Sequence, residues 1–178
     1  MCKNKNFQTM QGRLIGALIG LARATEGNAN RPTEETDRIF IKGIQMCFPG
    51  QPKSLQQILD QIEALHEEKQ KLVPRCMECA SPCGRNNDFD IIELNSSVRN
   101  FQLKYVLLSG LLFMVSCLEN FEKSFIISPE IMEFFYKAFF MIGYDCEKND
   151  LLLLFEELGE WQNKLCFQCD ELRPFKKE

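Results

Sequence analysis

Two stretches decide the fold: residues 55–79, LQQILDQIEALHEEKQKLVPRCMEC, and residues 151–169, LLLLFEELGEWQNKLCFQC. Apolar residues recur in both at intervals of three to four positions, the pattern of an amphipathic helix. Both stretches end in a Cys-x-x-Cys pair, and the two pairs are ninety residues apart. The matching ends predict that the chain contains one folding unit twice.

Each half of the chain carries three apolar segments separated by polar turns. The segments are residues 14–22, 39–47 and 55–73 in the first half, and residues 103–118, 131–142 and 151–165 in the second. No segment alternates apolar and polar residues with the period of two that is typical of a strand. We therefore predict an all-α fold, in which two repeated three-helix units pack together as a helical bundle.

The predicted units are residues 1–80 and residues 98–178, each ending in Cys-x-x-Cys, and an irregular connecting loop over residues 81–97 joins them. Capping residues mark three of the predicted helix starts. The sequence places Thr33 before two glutamates, Ser128 before a proline and a glutamate, and Ser54 three residues before a glutamine. Side chains of this kind accept hydrogen bonds from the first amides of a helix.

Composition narrows the class of protein. Hydrophobic residues make up 45% of the 178 residues and charged residues 26%, as in ordinary globular proteins. The net charge is −4 and no basic stripe is present, so a nucleic-acid partner is not expected. The longest nearly uncharged run, residues 105–118, is shorter than the roughly 20 residues that span a bilayer. It predicts a buried helix and no membrane association.

The chain has nine cysteines and no visible signal peptide. An odd count without a secretory signal argues against a disulfide framework and favours the reducing cytoplasm, where paired cysteines more often bind metals or take part in thiol chemistry. Cys47, Cys117 and Cys146 stand singly in the sequence, and we expect them to be buried as small hydrophobic residues.

The paired cysteines predict a metal centre. Cys76, Cys79 and Cys83 place three sulfur atoms within one short turn, and Cys166 or Cys169 would supply a fourth if the two units pack with these ends together. Four thiolates are the usual ligand set of structural zinc and of iron–sulfur clusters. Alternatively, the two Cys-x-x-Cys pairs supply all four ligands and Cys83 is not used.

Two other interpretations of these cysteines remain open: reduced, partly buried thiols without a metal, or a redox-active disulfide formed by one Cys-x-x-Cys pair. Cys76 and Cys166 are both predicted just past the C-terminus of a helix, where the helix dipole disfavours a thiolate. A bound cation would remove that difficulty.

The sequence resembles the helical N-terminal domain of the hybrid cluster protein family, also called prismane or hydroxylamine reductase. Residues 166–170, CFQCD, are similar to the opening of the family's cluster motif. Cys83-Gly84, residues 107–115 and residues 139–150 are similar to later parts of the same domain. The resemblance implies paired three-helix bundles with a cysteine-bound iron–sulfur cluster.

This chain departs from the family in two respects. The family's cysteine spacing is longer than Cys79-x3-Cys83, and the second Cys-x-x-Cys pair falls near the end of the sequence. The domains that carry the hybrid cluster and its ligands have no counterpart in these 178 residues. Hydroxylamine reduction therefore does not carry over.

We predict a small cysteine-rich helical protein that binds zinc or an iron–sulfur cluster in a structural or electron-carrying role, with a redox or protein partner. The alternative is a metal-free interaction module whose Phe-rich surface docks a partner or a second copy of the chain, forming a homodimer. No catalytic constellation is identified, because His66 is the single histidine and no phosphate-binding glycine motif is present. Glu67 and Glu68 are expected on a solvated helix face.

Overall fold

The computed structural model describes residues 2–25, 31–47, 54–72, 98–119, 128–144 and 146–172, and side chains for 10–25, 31–47, 54–72, 100–116, 128–144 and 146–165. The helices are α1 (Cys2–Thr25), α2 (Glu34–Met46), α3 (Leu55–Leu72), α4 (Val98–Glu119), α5 (Pro129–Gly143) and α6 (Lys148–Leu172). The described ranges contain no strand, which confirms the all-α helical bundle. Over the same ranges, no helix is both long and apolar enough to cross a membrane.

The predicted capping residues begin their helices. The Thr33 side chain accepts a hydrogen bond from the Thr36 amide at the start of α2. At the start of α3, the Gln57 amide donates to Ser54 Oγ over 3.2 Å, and the Ser54 amide donates to Gln57 Oε1 over 2.8 Å. Ser128 caps α5 in the same way. Because these bonds satisfy amides that have no partner inside the helix, local sequence alone determines the three starts.

Among the first three helices, α2 runs antiparallel to α3 and both contact α1. The Thr36 hydroxyl donates to Glu68, while Gln61 Nε2 donates to the Ile39 carbonyl over 2.8 Å, so the order of contacts reverses along the two helices. Gly43 lies where α2 meets both neighbours. A Cβ at this glycine would be 2.9 Å from a Leu18 methyl carbon, so the absent side chain permits the close approach.

Among the last three helices, α4 and α6 run in the same direction. Asn100 Nδ2 donates to the Cys146 carbonyl just before α6, and Gln162 Nε2 donates to the Gly110 carbonyl further along, each over 3.3 Å. Lys104 donates from Nζ to the carbonyl of Tyr144, the residue that ends α5. This bond places a cation at the negative end of the α5 dipole.

The helix α5 joins the two sets of three helices. The Phe40 ring of α2 lies 4.5 Å from the Tyr136 ring and 5.3 Å from the Phe139 ring, measured between centroids. On the α1 side, Ile19 packs against Gly143. Phe134, Phe135, Phe139 and Met114 belong to the buried core and are at most 2% exposed. One continuous core therefore runs through both sets.

Two expectations about these helices are wrong. The helix α6 continues to Leu172, so Cys166 lies within it rather than just past its end. Residues 105–118 do not form a fully buried helix, because Tyr105, Val106 and Phe113 are each more than half exposed. The unit boundaries at 80/81 and 97/98 remain a prediction, since residues 81–97 are outside the described residues.

We expect Gly143→Ala to destabilise the protein by about 1–3 kcal/mol, because the new methyl group would overlap the Cγ2 atom of Ile19, a β-branched side chain that cannot easily rotate away. Urea unfolding followed by circular dichroism measures this loss. Gly159→Ala is the matched control: a Cβ there meets nothing within 4 Å. That change should instead stabilise α6 by up to about 1 kcal/mol. Equal effects of the two substitutions would contradict the close packing of Ile19 on Gly143.

Candidate functional site

The structure leaves the predicted metal centre untested. Cys76, Cys79 and Cys83 lie outside the described residues, and Cys166 and Cys169 are described only as backbone within α6. Their convergence on one ion remains a prediction. Among the side chains that the structure does describe, no three His, Cys, Asp or Glu residues form a group that could hold a metal ion.

Two of the single cysteines behave as expected. Cys47 and Cys146 are both 6% exposed and are not in a disulfide. Their thiols donate weak hydrogen bonds to backbone carbonyls, Cys47 to Gly43 over 3.4 Å and Cys146 to Met141 over 3.5 Å. Both therefore act as small buried residues, whereas the Cys117 side chain is outside the described set.

A buried polar cluster joins the start of α2 to the end of α3. Thr36 Oγ1 donates to Glu68 Oε2 over 2.8 Å, and Lys71 donates to the other carboxylate oxygen of Glu68. The Thr36 hydroxyl also accepts the backbone N–H of Thr33 over 3.2 Å, which completes the α2 cap. Glu68 is only 3% exposed, so the expectation that it lies on a solvated face is wrong.

A second polar contact links α2 to α5. The Tyr136 hydroxyl donates to Asp37 Oδ1 over 2.8 Å, across a separation of 99 residues in the sequence. Burial raises the pKa of Asp37 above its ordinary value, more than the bond from Tyr136 lowers it. Burial and the nearby Asp37 charge also raise the pKa of Tyr136, so this hydroxyl stays protonated and continues to donate.

These polar groups are better suited to holding helices together than to catalysis. Both oxygens of Glu68 accept hydrogen bonds, and the Tyr136 hydroxyl donates its hydrogen bond to Asp37. A general acid or base needs a proton-transfer atom that a substrate can reach. The described contacts leave the Glu68 carboxylate buried, where it links α2 to α3.

The helix α4 buries a charged side chain and exposes three large apolar ones. Lys104 is 1% exposed and points into the bundle, whereas Tyr105, Val106 and Phe113 are 59%, 57% and 52% exposed. Lys104 is also the one charged residue between positions 100 and 116. We name the outward side formed by Tyr105, Val106, Ser109 and Phe113 the α4 face. A helix of a folded protein usually directs its charge outward and its aromatic rings inward.

The helix α6, which runs parallel to α4, also exposes apolar residues: Leu152 and Leu153 are 41% and 64% exposed. Because Gln162 reaches the Gly110 carbonyl, positions 152, 155 and 159, at helical spacing from it, follow the side of α6 toward α4. Leu152 and the partly buried Phe155 lie on that side.

Comparison with known proteins does not assign the chain to a family. No protein-family model matches the sequence, and no curated protein is significantly similar to it. The resemblance to the hybrid cluster protein family is therefore untested and remains a prediction.

Only a partial signal for the α4 face is present in the sequence. The Phe-rich segments favour a dimer surface as an alternative, but residues 105–118 are nearly all apolar. Periodicity gives only a weak signal for the outward side of this helix, because its polar stripe consists of Gln102, Ser109 and Ser116 alone, at intervals of seven positions. The useful signal is Lys104: a lone charge in an apolar helix sits inward only where it finds a partner such as the Tyr144 carbonyl.

We expect Asp37→Asn to change how stability depends on pH. The folded pKa of Asp37 is raised above 3.8. The stability that this carboxyl contributes is therefore fully present below pH 3.8 and is lost as the pH rises through the folded pKa. Relative to the Asn variant, the unchanged protein should lose stability as pH increases over that range, as measured by urea unfolding from about pH 3 to pH 7.

Tyr136→Phe provides the control for this experiment. It removes the hydrogen bond that lowers the pKa of Asp37, so the pH-dependent loss should become larger. A gain in stability with rising pH, relative to Asp37→Asn, would contradict the dominance of burial over hydrogen bonding at this carboxyl.

Proposed function

We propose that this protein is a helical protein–protein interaction module that binds an apolar helix of its partner through the α4 face. The observation that carries this proposal is that α4 exposes three large apolar side chains on one side, Tyr105, Val106 and Phe113. A chain in water gains nothing from three large exposed apolar side chains on one face unless another surface covers them.

The energetics favour docking at this position. Fully burying a Val or Phe side chain contributes about 1.5–3 kcal/mol per side chain to the free energy of binding, before the cost of association is subtracted. The α4 face lies on a helix whose inner side is already packed, since Leu107, Leu111 and Met114 are fully buried. A partner could therefore bind without rearranging the core.

The chemistry of the face suggests the chemistry of the partner. The face carries no charged side chain, so it offers no partner for a charge on the bound surface. Its exposed residues follow helical spacing. A ridge of this kind packs against an apolar helix by fitting between the side chains of that helix.

We expect a photo-crosslinking residue at Phe113 to link the protein to another polypeptide. Replacing Phe113 with p-benzoylphenylalanine keeps an aromatic ring on the exposed face, and irradiation of purified protein and of the producing cells, followed by mass spectrometry, identifies the linked peptide. The same residue at Glu63, on the exposed side of α3, is the matched control. The intermolecular adduct at Phe113 should disappear with Val106→Glu.

Two results would contradict the docking proposal. One is an adduct between position 113 and the same chain, for example its residues 73–97, because the face would then be covered from within. The other is the absence of any intermolecular adduct at position 113 in protein that carries the photoreactive residue.

The second candidate is zinc or iron–sulfur binding in a structural or electron-carrying role. Its support is the cysteine pattern: Cys76, Cys79 and Cys83 lie within eight residues, and a second pair occurs at Cys166 and Cys169. The resemblance to the hybrid cluster protein family points the same way. A cytoplasmic location belongs to this proposal too, supported by the odd cysteine count.

We expect metal binding, if present, to appear in elemental analysis of protein purified without oxygen, as zinc or iron in a fixed ratio to the chain. The double change Cys76→Ala and Cys79→Ala should then lower stability by several kcal/mol, because a bound metal holds the folded ligand loop. Cys47→Ala is the control, since that thiol lies in the helical core. Metal-free protein with an unchanged melting temperature in the double variant would contradict this candidate.

A further inference from the structure

We propose that Cys117 of α4 and the Cys166 and Cys169 pair of α6 form one metal site, which takes a single thiolate-binding cation such as Zn²⁺. The register of the two helices carries this inference, because it places the three cysteines at the same end of the α4–α6 pair. The inference does not rest on docking at the α4 face. It also differs from the second candidate function, in which cysteines of residues 76–83 supply the remaining ligands.

The contacts between α4 and α6 fix which of their residues lie at the same level. Gln162 Nε2 donates to the Gly110 carbonyl over 3.3 Å. A Cβ at Gly110 would be 2.5 Å from a methyl carbon of Leu158. Position 110 of α4 therefore lies at the level of positions 158–162 of α6. Because the two helices run in the same direction, equal steps along both preserve this correspondence.

Equal steps along the two helices bring the cysteines to one level. Cys117 is seven residues after Gly110, about two turns, so it lies on the same side of α4 as that glycine. The second Cys-x-x-Cys pair lies four and seven residues after Gln162, on the side of α6 toward α4. Seven steps from the level of Gly110 place position 117 opposite positions 165–169. The three cysteines therefore share one level and one interface between helices.

One metal ion suits three cysteines better than a disulfide does. A disulfide joins two sulfur atoms and leaves the third cysteine unused, whereas Zn²⁺ accepts three protein ligands with a water in the fourth position. Each Zn–S bond is about 2.3 Å long, so a single ion can bridge two helices that pack closely. The α4–α6 pair packs in this way at Gly110, where the absent side chain makes room for Leu158.

The ends of the two helices favour a bound cation. The helix α4 ends at Glu119 and α6 ends at Leu172, so Cys117 and Cys169 lie in the last turns of parallel helices, where both dipoles are negative. Neither last turn contains a basic residue, whereas those of α1 and α3 do. Because these dipoles disfavour thiolates, the metal must displace thiol protons when it binds. We therefore expect its affinity to fall as the pH decreases.

Titration of the full chain with Co²⁺ tests the site, because charge transfer from thiolate to cobalt gives an absorbance band that thiols alone lack. We expect Zn²⁺ to displace the bound Co²⁺. Cys117→Ser and Cys169→Ser should each remove one equivalent of bound Co²⁺. Exchanging two neighbours, by Ser116→Cys together with Cys117→Ser, keeps the number of thiols but moves one of them by about 100° around α4. This exchange should remove the same equivalent.

Two control variants should keep that equivalent of Co²⁺. Cys47→Ala removes a thiol that is buried in the helical core. Changing Cys76, Cys79 and Cys83 together to Ser removes the ligands of the second candidate function. Loss of the equivalent in this triple variant would overturn the inference and assign the α6 pair to the second candidate. Full Co²⁺ binding by Cys117→Ser, shown to be folded by circular dichroism, would also overturn it.

Crosslinking of the unchanged chain tests the placement of the cysteines without any substitution. A short bismaleimide should join position 117 to position 166 or 169 in metal-free protein, as identified by mass spectrometry, and Zn²⁺ should suppress this product. Absence of the crosslink, or a crosslink that forms equally with Zn²⁺ present, would overturn the site. Val106→Glu, which abolishes docking in the proposed function, should leave both the crosslink and the Co²⁺ band unchanged, so the two ideas fail separately.

Discussion

The contact between Phe40 and α5 is the constraint on which the rest of the structure depends. Phe40 is fully buried between the rings of Tyr136 and Phe139, and beside it the Tyr136 hydroxyl is bonded to Asp37. Apolar packing and a buried hydrogen bond therefore act at one place, which fixes the rotation of α2 against α5 as well as their separation. Because α1 also packs on α5 through Ile19 and Gly143, neither set of three helices encloses its core without the other.

This arrangement explains why α4 exposes apolar side chains. Leu107, Leu111 and Met114 fill the core side of α4. Lys104 donates a hydrogen bond to the Tyr144 carbonyl at the end of α5. The helices α5 and α6 are already packed against that side, so nothing among the described residues is left to cover Tyr105, Val106 and Phe113. The free-energy cost of exposing them is the physical reason to expect a partner at this face.

Much of the fold could be predicted from the sequence, because helix periodicity and caps are local properties. Thr33, Ser54 and Ser128 begin helices through bonds to residues three positions away. Burial of polar groups could not be predicted in the same way. Glu68 is buried because it meets Thr36, 32 residues earlier, and Lys104 because it meets the Tyr144 carbonyl, 40 residues later. Such pairings depend on how helices pack, which a pattern along one helix does not contain.

The extent of α6 places the second Cys-x-x-Cys pair in helical backbone, whereas Cys76 and Cys79 lie outside the described residues. No proline or glycine interrupts residues 160–172, and α6 ends just before Arg173-Pro174, where the residue preceding proline disfavours helical backbone. The second pair is therefore held in regular helix. Docking at the α4 face requires no equivalence between the two halves.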